Sequence, residues 1–153
     1  FAYLWIFLGR RNLDPNMPIK FGIGLILMAL GFIVMIFAVK FALVSSPVGV
    51  QWLLLTYLLH TFGELTLSPV GLSAFSKYSP KKYLGQMMGI WFLASSLGGV
   101  LAGLLGGEAT ASGLDSMSPV FMQLVYYCLG IAAVLIALSF FIKGVKTKAI
   151  SDE

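Results

Sequence analysis

The sequence predicts an all-α, polytopic membrane protein. Hydrophobic residues make up 59% of the 153 residues and charged residues only 10%, whereas about 25% of the residues of a soluble domain are charged. The mean hydropathy is +0.95. Since about 20 apolar residues cross a bilayer as a helix, we expect four full spans and one partial span, at residues 19–44, 48–76, 81–106, 119–142 and 1–8 respectively.

The amino-terminal segment 1–8 is apolar, and it lacks the charged region and the cleavage site of a signal peptide. We therefore expect the chain to be a fragment of a longer protein that begins within a span. A single cysteine, Cys128, can form no internal disulfide and belongs to no metal-binding spacing. We expect Cys128 to be a packing residue, and we expect no metal and no other cofactor.

Basic residues mark the predicted topology. The net charge is +4, and nine of the ten Lys and Arg residues lie in or beside three regions, the loop 9–18, the loop 77–82 and the tail 143–153. Four spans place these regions on one side, while the loops 45–47 and 107–118 contain no basic residue. The positive-inside rule then predicts that the basic side is cytoplasmic. The charge is explained without nucleic-acid binding.

Proline positions predict where helices start. Serine suits an N-cap and proline suits the first helical position, so we expect starts at Ser46-Pro47, Ser79-Pro80 and Ser118-Pro119. A fourth step, Ser68-Pro69, lies inside the second full span between Gly63 and Gly71, and there the proline removes a backbone hydrogen bond. The step predicts either a hinge or a static bend. The polar tail is expected to fray.

The third full span carries small residues at every fourth position. They form two adjacent stripes, Ser95, Gly99, Gly103 and Gly107 beside Ala94, Gly98, Ala102 and Gly106. Small residues let membrane helices approach one another closely. We therefore expect this span to pack tightly against another helix.

Glu64 is the one acidic residue inside a predicted span. A carboxylate at that depth is costly and usually faces a bundle interior or a wet cavity. At about 100° per residue, Glu64 shares one stripe of its helix with Tyr57, His60, Ser68 and Gly71. Because lipid offers no hydrogen bonds, we expect this stripe to face a cavity or another polar surface.

The position of Glu64 favours a binding site. It lies about 12 residues, roughly 18 Å, from the cytoplasmic end of its span, near the midplane where secondary transporters bind substrates. Trp91 is expected at the depth of Ser68, where it would form an aromatic wall suited to an organic cation. Desolvation favours a neutral carboxyl group and a nearby cation favours a carboxylate, so exchanging a proton for an amine would switch such a site.

Two questions stay open from the residues alone. Glu64 is either a functional acid or a permanently neutral side chain that ties two helices together. His60, one turn away, is either a partner in proton transfer or a hydrogen-bonded interior residue. No second catalytic group accompanies them, so we do not expect an enzyme.

The segment FGELTLSPVGLS, from Phe62 to Ser73, closely resembles the tenth helix of the proton-dependent oligopeptide transporters, the peptide branch of the major facilitator superfamily. The Lys-rich loop 77–82, the glycines before Trp91 and the opening loop around Arg10 and Arg11 are similar to the same family. The resemblance covers essentially the whole chain, as the end of helix 8 through helix 12. It implies the carboxy-terminal helical bundle of a major facilitator protein.

The resemblance also implies roles for single residues. Glu64 would meet the amino terminus of a peptide and take part in a charge switch with a lysine on helix 7, and Ser68 and Trp91 would line the same pocket. Leu72 would lie near the inner gate. The family's Glu-x-x-Glu-Arg motif and its lysines on helices 4 and 7 are not among these residues, so the amino-terminal bundle of the same protein is an expected partner.

The resulting hypothesis is a proton-coupled symporter that imports di- and tripeptides by alternating access across a bacterial plasma membrane. Pro69 and Gly71 would belong to its gate or hinge, together with Leu72. One alternative is a major facilitator relative that carries another small solute, although the carboxylate of Glu64 favours an amine-bearing substrate over an anion. Another alternative is a structural helical subunit of a larger membrane complex.

Overall fold

The computed structural model describes residues 7, 11, 16–44, 48–111 and 113–151, and of these it gives only the backbone for 108–111 and 142–151. Four α-helices follow one another along the described chain, with no strand among them: α1 Met17–Val44, α2 Gln51–Tyr78, α3 Leu84–Ala111 and α4 Leu114–Ser151. A 3₁₀ turn, Lys81–Tyr83, precedes α3. The predicted all-α class is confirmed.

Three of the described helices are long and apolar enough to cross a membrane, in the ranges Met17–Val44, Lys81–Gly107 and Leu114–Phe141. The protein is therefore a multi-pass membrane protein. Helix α2 has the same length of 28 residues as α1, but side chains such as Gln51, His60 and Glu64 make it more polar. That α2 also spans the bilayer, as expected for residues 48–76, stays a prediction.

Helix α1 is the centre of the packing. It contacts α2 on one side and α4 on the other, and α3 contacts both α2 and α4. The interface between α1 and α4 contains a buried core of Ala29, Ile36 and Val125. The rings of Phe32 and Phe121 stack beside this core with their centroids 6.2 Å apart.

Two further features belong to the α1 and α4 side of the bundle. Cys128 is partly buried against the core of α1 and α4, as expected for a packing residue. An apolar cavity of about 420 Å³ lies between α1, α3 and α4. Its lining includes Ala102 and Gly106 of α3, so the second half of α3 lies beside α4.

Helices α1 and α2 approach one another at glycines. A Cβ atom placed on Gly63 would lie 2.9 Å from the carbonyl oxygen of Gly24 and 2.9 Å from Cγ of Met28. A Cβ atom placed on Gly24 would lie 3.1 Å from the carbonyl oxygen of Gly63 and 2.6 Å from Cγ of Leu67. The two backbones are therefore closer than any pair of larger residues would permit.

Two threonines on the α1-facing side of α2 form hydrogen bonds from their hydroxyl groups to backbone carbonyl oxygens of the same helix. Thr66 is fully buried, and its hydroxyl donates to the carbonyl oxygen of Phe62 at 2.8 Å. Thr56 is also buried and donates to the carbonyl oxygen of Trp52 at 3.0 Å. These bonds within the helix let both threonines enter the interface without an unpaired donor, which would be costly in an apolar setting.

The small-residue face of α3 is not packed in the way that its sequence predicts. Within the described part of the chain, a Cβ atom on Gly98, Gly99 or Gly103 would meet no atom within 4 Å. The close contact expected from these stripes is thus not made with any described helix. The close glycine contacts lie instead on α1 and α2.

Two of the three predicted helix starts are wrong in detail. Ser79 caps the C-terminus of α2 through its N–H to the carbonyl oxygen of Phe75, and Pro80 precedes the 3₁₀ turn rather than opening an α-helix. Helix α4 begins at Leu114, before Ser118-Pro119, because Gly113 adopts a φ of 89° that ends the preceding segment. Pro119 therefore lies inside α4.

The remaining expectations concern the carboxy-terminal tail, the Ser46-Pro47 start and the amino-terminal segments. Helix α4 continues to Ser151, and the expected fraying of the tail stays a prediction. The Ser46-Pro47 start, most of the partial span 1–8 and most of the loop 9–18 lie outside the described residues.

We expect the substitution Gly63→Ala to lower the stability of the full-length protein. The new Cβ would press on the backbone of α1, and overpacking of this kind costs about 1–3 kcal/mol. Alanine gains only about 1 kcal/mol over glycine in a helix, so the net effect is destabilising. The measurement is the midpoint of thermal unfolding in detergent, which should fall.

A matched control is Gly130→Ala on α4, where the added Cβ meets no described atom within 4 Å. Its midpoint should equal or exceed that of the wild type. A midpoint for Gly63→Ala as high as that of Gly130→Ala would contradict the close packing of α1 against α2.

Candidate functional site

The polar stripe of α2 lies on a side of that helix that α1 does not cover. The residues Tyr57, Glu64 and Ser68 are exposed, whereas Gly63 and Val70 are buried on the α1-facing side. The separation follows from helical geometry, because neighbouring residues differ by about 100° around the axis. The contact with α1 thus leaves the carboxylate of Glu64 free to meet a ligand.

His60 lies at the edge of this stripe and packs toward α1. Its ring is in edge contact with Phe32, with the centroids 4.7 Å apart, and any Cβ on Gly31 would collide with the imidazole. The Nε2 atom is buried and has no hydrogen-bond partner among the described residues. The imidazole is therefore packed between α1 and α2, whereas Glu64 lies on the side of α2 that α1 does not cover.

Trp91 of α3 covers the end of the stripe nearest the Lys-rich loop. Any Cβ on Gly71 would collide with the indole, and the indole meets the ring of Phe75 edge-on at a centroid distance of 5.5 Å. The indole contacts residues three and seven positions beyond Ser68 toward the loop. That Trp91 lies at a depth similar to that of Ser68 stays a prediction.

The gate and hinge candidates lie beside this contact. Helix α2 is continuous through Pro69, which is exposed, and Leu72 is half-buried one turn further on. Whether Pro69 acts as a hinge or as a static bend stays a prediction. Of these candidates, Gly71 has a contact on α3 that the structure defines: because glycine has no side chain, the indole of Trp91 packs directly against it.

Phe75 is a member of the site that the sequence analysis did not select. It lies four residues after Gly71, so it continues the same stripe, and an aromatic residue at that spacing was the available signal. Together Gly71, Phe75 and Trp91 form an apolar floor under the stripe. Glu64 lies seven residues, about 10 Å along the axis, above that floor.

This arrangement suits a ligand with a cationic group better than a bound metal. In the described part of the chain, no group of three or more His, Cys, Asp or Glu side chains is placed to hold a metal ion. A single exposed carboxylate with a hydroxyl group, Ser68, one turn away can accept a proton or pair with an ammonium group. The floor below would exclude water from one end of the ligand.

The chain is similar to known peptide transporters. It is 41% identical over 140 residues to the peptide transporter YePEPT of Yersinia enterocolitica, across 90% of this chain and 27% of the relative. It is 39% identical over 95 residues to dipeptide and tripeptide permease A of Chromobacterium violaceum, across 62% of this chain and 19% of the relative.

A solved structure of a peptide transporter has a similar fold. The fold superimposes on the crystal structure of peptide transporter POT in complex with sulfate with a TM-score of 0.78 and 31% identity, across 93% of this chain and 28% of that one. The chain thus spans only about a quarter of the length of the peptide transporters YePEPT and POT that it matches. Residues 1–112 match the sequence pattern of the POT family (PTR2). The chain therefore belongs to the POT family, with the helical fold of its peptide transporters.

Proposed function

We propose that this chain forms the carboxy-terminal part of a proton-coupled symporter that imports di- and tripeptides. Membership of the POT family supports the proposal, and so do two relatives that are named as a peptide transporter and as a dipeptide and tripeptide permease. The observation that carries it is the exposure of Glu64 on the side of α2 that is not used for packing against α1.

Glu64 is the proposed contact for the amino terminus of the peptide. A carboxylate pairs strongly with an ammonium group, and the peptide's amino terminus supplies one. When the peptide leaves, the carboxylate loses the opposite charge that favours its ionised form and can take up a proton instead. The same side chain thus alternates between a peptide-bound charged form and a proton-bound neutral form, which couples the two movements.

Trp91 is proposed to line the peptide site from below and to take part in the gate with Pro69, Gly71 and Leu72. Its contact with Gly71 depends on a residue without a side chain, so a small shift of α3 against α2 opens or closes this end. Few side chains of α3 interlock with other described helices, which suits a moving element. Ser68, between Glu64 and this contact, offers a hydroxyl group to the peptide backbone.

The proposed site needs a second wall. Helices α1, α2 and α3 leave Glu64 open, so we propose that the amino-terminal bundle of the same protein faces it and supplies the remaining contacts. The cell membrane is the proposed location, with the loops 9–18 and 77–82 and the tail 143–153 on the cytoplasmic side. The basic residues of these regions favour that orientation. Direct proton coupling through His60 stays a prediction, and its Nε2 atom has no hydrogen-bond partner among the described residues.

We expect Glu64→Gln to abolish proton-driven accumulation of a labelled dipeptide by the full-length protein in proteoliposomes. The amide cannot gain or lose a proton, so the gradient has nothing to act on at this position. Exchange of unlabelled for labelled dipeptide, which needs no net proton movement, should persist at a reduced rate. Free amino acids and nitrate serve as competitors, and competition by either one as strong as that by a dipeptide would favour another solute.

Asp115→Asn is the matched control for charge, since Asp115 is an exposed acid in the first turn of α4. It should leave accumulation unchanged. Normal accumulation in the Glu64→Gln protein would end the proposed charge switch, and loss of accumulation in both proteins would show that the effect is not specific to Glu64.

We expect Trp91→Ala to weaken dipeptide binding by about tenfold. The reason is the loss of an aromatic surface under the peptide, because packing against an aromatic ring contributes about 0.5–1.5 kcal/mol beyond the area that it buries. Binding is measured by competition or calorimetry on the full-length protein. Phe92→Ala is the control, because Phe92 is the next residue in the chain and is 61% exposed. Equal dipeptide affinities for the two variants would contradict the proposal that Trp91 lines the peptide site.

A further inference from the structure

The end of α1 opposite the Lys-rich loop carries an amphipathic surface that the proposed transport site does not use. A shallow groove of about 200 Å³ is lined there by Phe37, Lys40, Phe41 and Val44. These positions follow the spacing i, i+3, i+4 and i+7, so they lie on one face of the helix. We refer to these four residues as the Lys40 groove.

Among the described helices, α2 contacts the face that bears the Lys40 groove at Phe41, through the ring of Trp52, and the residues of this face remain largely exposed. Phe37 is 54% exposed, Phe41 58% and Val44 86%. The same face continues along α1 through Leu30 and Ile23, which are also exposed and precede Phe37 at steps of seven residues. In a multi-pass membrane protein, an uninterrupted apolar stripe of this kind is complementary to an acyl chain.

Lys40 gives one end of this stripe a charge. It is the only Lys or Arg between residues 21 and 76, and within the described residues its ammonium group takes part in no ion pair. It lies four residues before the end of α1, about 6 Å along the axis. A lysine at that depth extends its apolar stem over its neighbours and places the ammonium group among lipid head groups.

An aromatic pair supports the same depth. The ring centroids of Phe41 and Trp52 are 6.1 Å apart, and Trp52 lies in the first turn of α2. Tryptophan is enriched where hydrocarbon meets the head groups of a bilayer. The Lys40 groove therefore extends from the head-group level into the apolar layer.

We propose that the Lys40 groove binds an anionic phospholipid, with the phosphate group on the ammonium group of Lys40 and an acyl chain along Phe37 and Leu30. Charge complementarity favours this occupant over a zwitterionic lipid, because an anionic head group carries no cation to oppose Lys40. It also disfavours a second copy of the protein. A twofold contact brings the same surface of both copies together and would place Lys40 against Lys40.

The test uses the full-length protein in detergent and native mass spectrometry, with phosphatidylglycerol or phosphatidylcholine of identical acyl chains as probes. The wild type should retain phosphatidylglycerol more tightly. Lys40→Met keeps the length of the side chain and should weaken phosphatidylglycerol binding about fivefold, the ratio expected for one lysine at an anionic membrane surface. Its phosphatidylcholine binding should not change. Lys40→Arg is the matched control and should keep the preference.

Thermal unfolding, measured without and with added lipid, separates a loss of lipid binding from a loss of folding. Thermal unfolding without added lipid should be the same for the wild type and Lys40→Met, because Lys40 is exposed, and phosphatidylglycerol should raise the midpoint more for the wild type. An unchanged preference in Lys40→Met would overturn the proposal. Loss of the preference in Lys40→Arg would equally overturn it, and so would a lipid-free dimer that depends on Lys40.

Discussion

The close contact between α1 and α2 determines which side of α2 is left open. Gly24 and Gly63 bring the two backbones together, and a side chain at either position would force them apart. Because this contact holds α2 at one rotation about its own axis, the side chains of Thr66 and Val70 enter the interface and that of Glu64 does not. A rotation by a single residue, about 100°, would turn the carboxylate toward α1 or toward lipid. Neither offers the hydrogen bonds that a carboxylate requires.

Helix α3 complements this constraint by approaching α2 at one end only. Its start contacts α2 through Trp91, whereas its second half lies beside α4 at the apolar cavity. The middle of α3 therefore does not cover the stripe at Glu64. A helix that is held at its ends and smooth in its middle can tilt with little change in side-chain packing. This property connects the glycines of α3 to the alternating access that we propose, although α3 contributes little to the buried core.

The sequence allowed a good prediction of the helices and of the polar stripe, because both depend on local periodicity. The apolar runs predicted each helix, and the 100° rule grouped Glu64 with Tyr57 and Ser68, which are exposed, but also with His60, which packs against α1. The failures arose where neighbouring helices decide the outcome. The contact of Trp91 with Gly71 and Phe75 depends on how α3 packs against α2, which hydropathy does not encode. The proline at 119 did not mark a helix start, because Gly113 begins α4 earlier.

Small residues were the most misleading signal. The regular stripes of α3 predicted a close approach to another helix, yet among the described residues the close glycine contacts between α1 and α2 involve Gly24 and Gly63. Gly24 and Gly31 are seven residues apart on one face of α1, which was a usable signal, but an isolated pair is less conspicuous than a run of eight small residues. A stripe of glycines shows that a close approach is possible, and only the opposing helix decides whether it occurs.

The most direct measurement of the central claim is the reactivity of single cysteines on α2. In the full-length protein with its native cysteines replaced, Cys128 included, Ser68→Cys reports on the open side and Thr66→Cys on the interface with α1. The account predicts that a water-soluble maleimide labels the cysteine at 68, that a dipeptide slows this labelling, and that the cysteine at 66 stays unlabelled. An unreactive cysteine at 68, or equal reactivity at both positions, would contradict a water-filled site beside Glu64.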